Sequence, residues 1–411
     1  MTLKIPFGFS LYLLLMFPPM LPFLGSTEIS KQASLILLLV VGGVLLSYRR
    51  RVKIDFVFLV LLFYALYCFL STVVKQGFIG GSLLINDLFE STRVMFIALF
   101  YLYGFNLIRY RQFNFFDNVQ HWKIFLVFSA LVVVSFILKD GYLGLLSSFY
   151  NSKEHRFSGL MPGINYIWFP LVVLIGFGIA IYQRRRLSKA WLVLVSLVVL
   201  ASLVLSASFT SIICVFGFVF LFLALVYFQK HGVRSFLIIG PVLLVSLSIG
   251  YAFLSYLLEN SIGFSGKFQL ILAFIESGEL SEFSSLSKRF NVWANAFQLI
   301  EEKPLTGYGA NKSGLRYTDN TYVMTLYRYG ILGLLLESSI YLGLIFFFLK
   351  SCFVHKKNVL LSAFCLSMIA AYLVSGLTAN SFYELKLPYV FFAVVGMLKY
   401  MCQTKSDYVH C

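Results

Sequence analysis

The sequence predicts an all-α polytopic membrane protein, and three observations carry that expectation: apolar content, the length of the apolar runs, and the placement of basic residues. Of its 411 residues, 60% are hydrophobic and only 12% are charged, about half the charged share of a typical soluble domain. That much apolar surface cannot be hidden in a water-soluble core, so the bilayer must act as its solvent. The apolar runs continue over about 17–22 residues, the length of a helix crossing a hydrocarbon layer of ~30 Å. Strands of membrane barrels would instead show alternating segments of about ten residues. The 45 Phe and 25 Tyr suit lipid-facing surfaces and interfacial belts.

Runs bounded by charges place spans near 8–25, 33–48, 54–74, 88–108, 124–138, 166–183, 190–206, 210–228, 236–256, 329–349, 358–377 and 388–402, about twelve transmembrane helices in all. The first is interrupted by Pro18, Pro19 and Pro22 and lacks a small-residue cleavage site, so a retained span is expected there. The stretch 190–228 could form one long helix, but Ser206-Ala207-Ser208-Phe209-Thr210 offers a tight turn that divides it. Three regions follow. Residues 1–256 hold spans one to nine with a medium loop at 139–165. Residues 257–320 form a large loop before the tenth span, and 321–411 hold spans ten to twelve and a short tail.

Basic residues fix the expected orientation. Arg49–Arg51 with Lys53, Arg109 with Arg111, Arg184–Arg186 with Lys189, Lys230 with Arg234, and Lys350 with Lys356 and Lys357 occupy alternate short connections. That alternation is the positive-inside pattern, which puts both termini in the cytoplasm. The acids Glu259, Glu276, Glu279, Glu282, Glu301, Glu302 and Asp319 gather in the large loop, on the opposite side. The net charge of +16 is therefore topological, with anionic lipid headgroups as counter-charge and no nucleic-acid partner. Cys68, Cys214, Cys352, Cys365, Cys402 and Cys411 fall within spans or on the cytoplasmic side, so neither a disulfide framework nor a CxxC metal site is expected.

Connections longer than about 15 residues are usually functional or disordered, which directs attention to the two outward loops. The spacing predicts a helix over 287–302, with Phe290, Trp293, Ala294, Phe297 and Ile300 on one side and Lys288, Asn291, Asn295, Gln298 and Glu302 on the other. Pro304 and Gly307-Tyr308-Gly309 end it. Such a helix lies on the membrane surface or packs over the bundle. Arg289 borders the apolar face near Trp293, where its planar fork of donors could meet phosphate oxygens; a snorkelling surface Arg fits the position as well. Arg156 in the medium loop is a second outward guanidinium, and Asn165 could bind a sugar or cap the next helix. Arg316-Tyr317-Thr318-Asp319-Asn320-Thr321-Tyr322 closes the large loop. Its acid–amide pair reads either as a helix cap or as a carboxylate able to take a hydroxyl proton. Glu90 and Arg93 can pair on one helix face, while Arg328 and Glu337 border span ten. Charges in such places mark functional sites or helix–helix ion pairs.

The missing motifs are also informative. No D-x-D and no G-x-x-x-x-G-K-[ST] occurs, and of the five His only His155 lies in an outward loop. No metal and no other cofactor is expected. A transporter or lipid-linked oligosaccharide flippase would fit the span count, but no internal repeat is visible and the polar interest sits in the loops.

The stretch Arg289-Phe-Asn-Val-Trp293, Ile300-Glu-Glu-Lys-Pro304-Leu-Thr-Gly307-Tyr-Gly309, Asp319-Asn320-Thr-Tyr322, Tyr329-Gly330-Ile-Leu-Gly333 resembles the signature of the O-antigen polymerase and O-antigen ligase superfamily. Arg156-Phe-Ser-Gly159 with Asn165 is similar to that family's element before a middle span. The resemblance implies a metal-independent, membrane-embedded glycosyltransferase of the bacterial inner membrane. Its expected substrates are undecaprenyl-diphosphate-linked oligosaccharides at the periplasmic face, and a chain-length regulator is a further partner it allows. Ligases usually carry His-Asn where this chain has Asp319-Asn320, which favours an O-antigen polymerase over the ligase alternative. The implied catalytic pair is Asp319 and Arg289. Arg156, Arg316, Asn165, Asn320, Trp293 and Tyr322 are expected around the diphosphate and glycan. The family's S-x-S-R element reads Ser206-Ala207-Ser208-Phe209 here, so its Arg is missing.

Overall fold

The computed structural model describes residues 52–79, 83–107, parts of 122–134, 150–151, 156–157, 164–183, 188–206, 208–232, 240–241, 284–310, 318–354, 359–383 and 387–404. The expected spans 8–25 and 33–48, nearly all of 236–256, the loop stretch 257–283, and Arg316 lie outside the described residues. Apart from an antiparallel bridge that pairs Tyr150 with Phe157 and Asn151 with Arg156, every regular element described is helical.

The longest apolar runs become helices with local signals at their ends. Asp55 caps α1 (Phe56–Thr72) by accepting from the Phe58 amide at 3.0 Å, and α1 continues into a π-helical segment, Val73–Ile79. Then come α2 (Ile85–Leu107) and α3 (Trp168–Gln183), the latter entered through a 3-10 turn at Ile164–Tyr166. The stretch 190–228 is two helices, α4 (Lys189–Ser206) and α5 (Phe209–His231). Ser208 separates them as the cap of α5, accepting from the Ser211 amide. A serine hydroxyl at this place satisfies one of the free amides of a helix start. α6 (Ser284–Glu302), α7 (Thr321–Phe353), α8 (Val359–Thr378) and α9 (Leu387–Thr404) complete the described chain. Six of these, α1, α2, α4, α5, α7 and α8, are long and apolar enough to cross a membrane; α3 and α9 contain shorter apolar helices.

Two groups of helices share α7. On one side α2 packs against α9 and α1; on the other α5 packs against α8 and α3; α7 touches both α1 and α8. Aromatic side chains fill the interior. Tyr372 stacks on Phe391 with ring centres 4.0 Å apart, and Phe364 of α8 meets both Phe177 of α3 and Phe218 of α5 at 5.5 Å. Lipid tails are as apolar as Leu, so packing of this kind, not water exclusion, must hold the helices together.

Polar contacts mark the two ends of the bundle. At one end Asp55 accepts from Lys399 at 2.7 Å and from Tyr101 at 2.6 Å, while Ser362 bonds Ser351. This brings together the amino ends of α1 and α8 with the carboxyl ends of α2, α7 and α9. The opposite end gathers the amino ends of α3, α5 and α7 and the carboxyl end of α8, and it holds the candidate site.

α7 is not one rod. Straight, its 33 residues would extend about 50 Å, well beyond the hydrocarbon thickness. At Gly330 the backbone leaves the helix (φ 64°, ψ −166°). Thr325 Oγ1 then donates to Glu337 Oε2 at 2.7 Å, although residues so spaced on a straight helix lie about 18 Å apart. The arm Thr321–Tyr329 is therefore folded back against the longer segment that follows. This explains why the expected boundary at 329 fell on the break and not on the helix start, which Asn320 caps earlier.

The turn after α6 fills that break. Tyr308 N donates to the Tyr327 carbonyl at 3.0 Å and Gly309 N to the Arg328 carbonyl at 2.7 Å. In return Ile331 N donates to Pro304 O at 2.8 Å and Leu332 N to Leu305 O at 3.2 Å. Backbone groups freed by the kink are thus satisfied by protein, as the membrane interior requires. Gly307 and Gly330 both have positive φ, and a Cβ on Gly330 would overlap the Leu305 carbonyl. α1 grips the same turn: Gln76 Nε2 donates to Tyr308 O at 2.7 Å, and Thr72 Oγ1 accepts from Ala310 N at 3.1 Å.

Candidate active site

α6 lies against α7, and the side it turns inward differs from the one its pattern suggested. Ala296 and Ile300 are buried, with Arg289 and Trp293 half-buried on the same stripe, whereas Phe290 and Phe297 are exposed. The helix has two adjacent apolar stripes. The one containing the small Ala296 permits close approach, so tertiary packing selects it. Phe290 instead meets Trp293 edge-on with ring centres 5.3 Å apart.

That rotation carries Arg289 to the start of α7. Its Nε lies 2.8 Å from Asp319 Oδ2, and its Nη1 donates to the Thr378 carbonyl at 3.4 Å. The two side chains remain 34% and 32% exposed, so a solute can still reach the pair. Beside it Asn320 caps the arm: its Oδ1 accepts from the amides of Tyr322 (2.9 Å) and Val323 (3.1 Å), and its Nδ2 donates to Leu377 O at 3.2 Å. Tyr322 Oη donates to Leu373 O at 2.8 Å, and Thr321 Oγ1 to Ala379 O at 3.3 Å. These bonds fasten the outer end of the arm to the last turn of α8.

Asn165 reaches the same end of the bundle, where its Oδ1 accepts from Ser208 Oγ at 3.1 Å. The cap Ser208 and Thr210 of α5, two positions apart, thereby link Asn165 to Thr378, because Thr210 and Thr378 share a hydrogen bond at 2.9 Å. Asn165, Arg289, Asp319, Asn320 and Tyr322 are thus assembled from segments far apart in sequence. Of Arg156 only the backbone is described, in the bridge with Asn151; its side chain lies outside the described residues, as does all of Arg316. Trp293 Nε1 is buried and has no partner among the described residues. Tyr308, below the site, donates to Glu302 at 2.5 Å; burial and that carboxylate push its hydroxyl up to about 12.

Sequence reasoning passed over Thr210 and Thr378. Their signal was the polar run Thr378-Ala379-Asn380-Ser381 between two apolar runs, which reads as a simple connector until Arg289 is seen to bond its first carbonyl. The expected charges of the spans also join up. Glu90 binds Arg93 at 2.6 Å and Arg328 at 3.2 Å, and Glu337 accepts from Thr325 and Tyr64.

Residues 200–338 match the family model described as O-antigen ligase. A search of curated proteins returns no match to the chain. The matched segment runs from the end of α4 into α7 and includes Ser208, Arg289, the Gly307–Gly309 turn, Asp319, Asn320 and Gly330. It bears out the resemblance to the O-antigen polymerase and ligase superfamily; Arg156 and Asn165 lie upstream of it.

Proposed function

We propose, from the resemblance to the O-antigen polymerases and ligases, that this chain is a glycosyltransferase joining undecaprenyl-diphosphate-linked repeat units at the periplasmic face of the inner membrane. The observation that carries the reading is the accessible Arg289–Asp319 pair, a cation and a candidate base in contact at the mouth of the bundle. In the proposed reaction the non-reducing-end hydroxyl of one lipid-linked repeat attacks the anomeric carbon of the donor glycan. The bond from that carbon to the diphosphate breaks, and undecaprenyl diphosphate leaves with both electrons. Asp319 takes the hydroxyl proton.

Arg289 stabilises the charge that grows on the leaving diphosphate, the kind of electrostatic assistance that acts most strongly in a site shielded from water. Arg156 and Arg316 are further candidates for the same oxygens. In the resting pair Asp319 uses one edge of the Arg289 guanidinium. Diphosphate oxygens compete for that edge, and their binding releases the carboxylate to act as base. Trp293, whose indole N–H has no partner among the described residues, is the candidate donor to a sugar hydroxyl, and Asn165 and Tyr322 are further candidates for the glycan. Asn320 spends both ends of its amide on backbone groups, so its part is to hold Asp319 in place.

Asp319 stands where ligases of the family usually have His, which favours polymerase; the description of the matched family favours ligase. Lipopolysaccharide from a strain lacking the gene separates the two readings on a gel. Loss of a polymerase leaves core bearing a single repeat, whereas loss of a ligase leaves bare core. Complementation with Arg289→Ala, at normal protein level, is expected to leave the ladder missing. A full ladder in that strain would remove Arg289 from the mechanism.

A further inference from the structure

Glu90, Arg93, Arg328 and Glu337 form a group of charged side chains outside the chemistry proposed for Arg289 and Asp319, with Glu337 buried and Arg93 half-buried. Glu90 of α2 holds two guanidinium groups, Arg93 at 2.6 Å and Arg328 at 3.2 Å, and both Glu90 and Arg328 are buried. Arg93 also donates to the Tyr383 carbonyl, and the Arg328 guanidinium covers the Tyr383 ring at 4.8 Å. Thr325 gives its one hydroxyl proton to Glu337 at 2.7 Å, so in its 3.0 Å bond with Tyr383 it must accept. Glu337 accepts as well from Tyr64 of α1 at 3.4 Å. Glu90 is compensated by two guanidinium groups and Glu337 is held by hydroxyl donors from Thr325 and Tyr64, so each carboxylate has the partners that burial in a low-dielectric interior demands.

Thr325 and Arg328 belong to the folded-back arm of α7, the same arm whose outer end carries Asn320 and Asp319. That outer end is tied to α8 through Asn320, Thr321 and Tyr322. The side chains of the inner half are tied to α2 through Glu90 and to the rest of α7 through Glu337, and its backbone carries the bonds to the Pro304–Gly309 turn described above. The backbone bonds to the turn fix where the inner end sits, while the side-chain ties to Glu90 and Glu337 fix the tilt and rotation of an arm of about two turns, and with them the position of the carboxylate at its tip.

We infer that Glu90 and Glu337 are positioning residues: by fixing the tilt of the α7 arm, they hold Asp319 beside Arg289, where the carboxylate freed by diphosphate can meet the acceptor hydroxyl. The inference rests on the function proposed above for Arg289 and Asp319. Misplacement of a reacting group by about 1 Å can cost on the order of a hundredfold in rate, so the effect belongs in turnover and not in substrate affinity.

The test uses the full chain in detergent, its native cysteines replaced, with spin labels at Leu326→Cys on the arm and Val374→Cys on α8. With Glu90 present, one narrow distance is expected. Glu90→Gln is expected to broaden or shift it and to lower turnover on undecaprenyl-diphosphate-linked glycan by at least about tenfold, with KM within about threefold. Glu90→Asp, which keeps the charge, should restore the narrow distance and most of the turnover. If Glu90→Gln does not fold, Thr325→Val, which removes only the hydroxyl linking Tyr383 to Glu337, is read in the same way. A narrow, unshifted distance in the variant overturns the inference, whatever happens to turnover. A broadened distance supports the fastening of the arm even if the unmodified protein proves inactive on that glycan, a result that would count against the proposed function instead.

Discussion

Arg289 and Asp319 form an ion pair suited to being exchanged. About a third of each side chain is exposed, and pairs in such surroundings contribute about 0–1 kcal/mol. A doubly charged diphosphate can therefore displace Asp319 at little energetic cost. The Glu90–Arg328 pair is of the other kind: both partners are buried, and removing one strands a charge at about 3–5 kcal/mol. These environments lead to opposite expectations. Asp319→Ala should leave the melting of the detergent-solubilised protein almost unchanged, within about 1 kcal/mol, while activity is lost. Arg289→Lys keeps the charge but not the fork; turnover of the purified protein should fall about 10–100-fold with the protein amount unaltered. Turnover equal to the parent would mean that a point charge suffices there and that bidentate contact is not used.

The turn Pro304–Gly309 and the break at Gly330 are complementary, each supplying the hydrogen-bond partners that the other lacks. In the sequence they are two separate short motifs; nothing in their spacing shows that one is inserted into the other, because the contact is made through space by helices folding back. The helix expected over 287–302, found as Ser284–Glu302, was legible from its period, but its inward side was not, since both apolar stripes satisfy the pattern and only the fit against α7 distinguishes them. Gly330→Ala forces a Cβ into the Leu305 carbonyl at a positive φ, so a loss of at least about 1–3 kcal/mol is expected, measured as thermal denaturation in detergent. Gly307→Ala should do the same. The double variant should cost less than the sum, because both substitutions disrupt one interlocked contact.

Among the described residues the expected spans were legible because a run of apolar residues of membrane length has few other uses; 8–25, 33–48, much of 124–138 and nearly all of 236–256 lie outside them. The expected 166–183, 190–206, 210–228, 358–377 and 388–402 agree with α3, α4, α5, α8 and α9 to within a few residues. The site was legible only in part. Arg289, Asp319 and Asn320 were marked by the motif, whereas Thr210 and Thr378 became visible only when three helix ends met. Lys53, Lys230, Lys350 and Lys399 belong to the end of the bundle that contains Asp55, away from Arg289 and Asp319, consistent with a cytoplasmic position for that end. Alkaline phosphatase fused within 257–283 should accordingly be active, and fused after Gly232 inactive. The reverse pattern would put the site on the wrong face for periplasmic transfer.

Affinity for undecaprenyl diphosphate, measured on the purified chain with no glycan present, probes the exchange of anions at Arg289 most directly. Arg289→Ala should weaken binding, and Asp319→Asn, by removing the competing carboxylate, should strengthen it about 3–30-fold. Weaker or unchanged binding in Asp319→Asn would contradict the displacement of Asp319 by diphosphate.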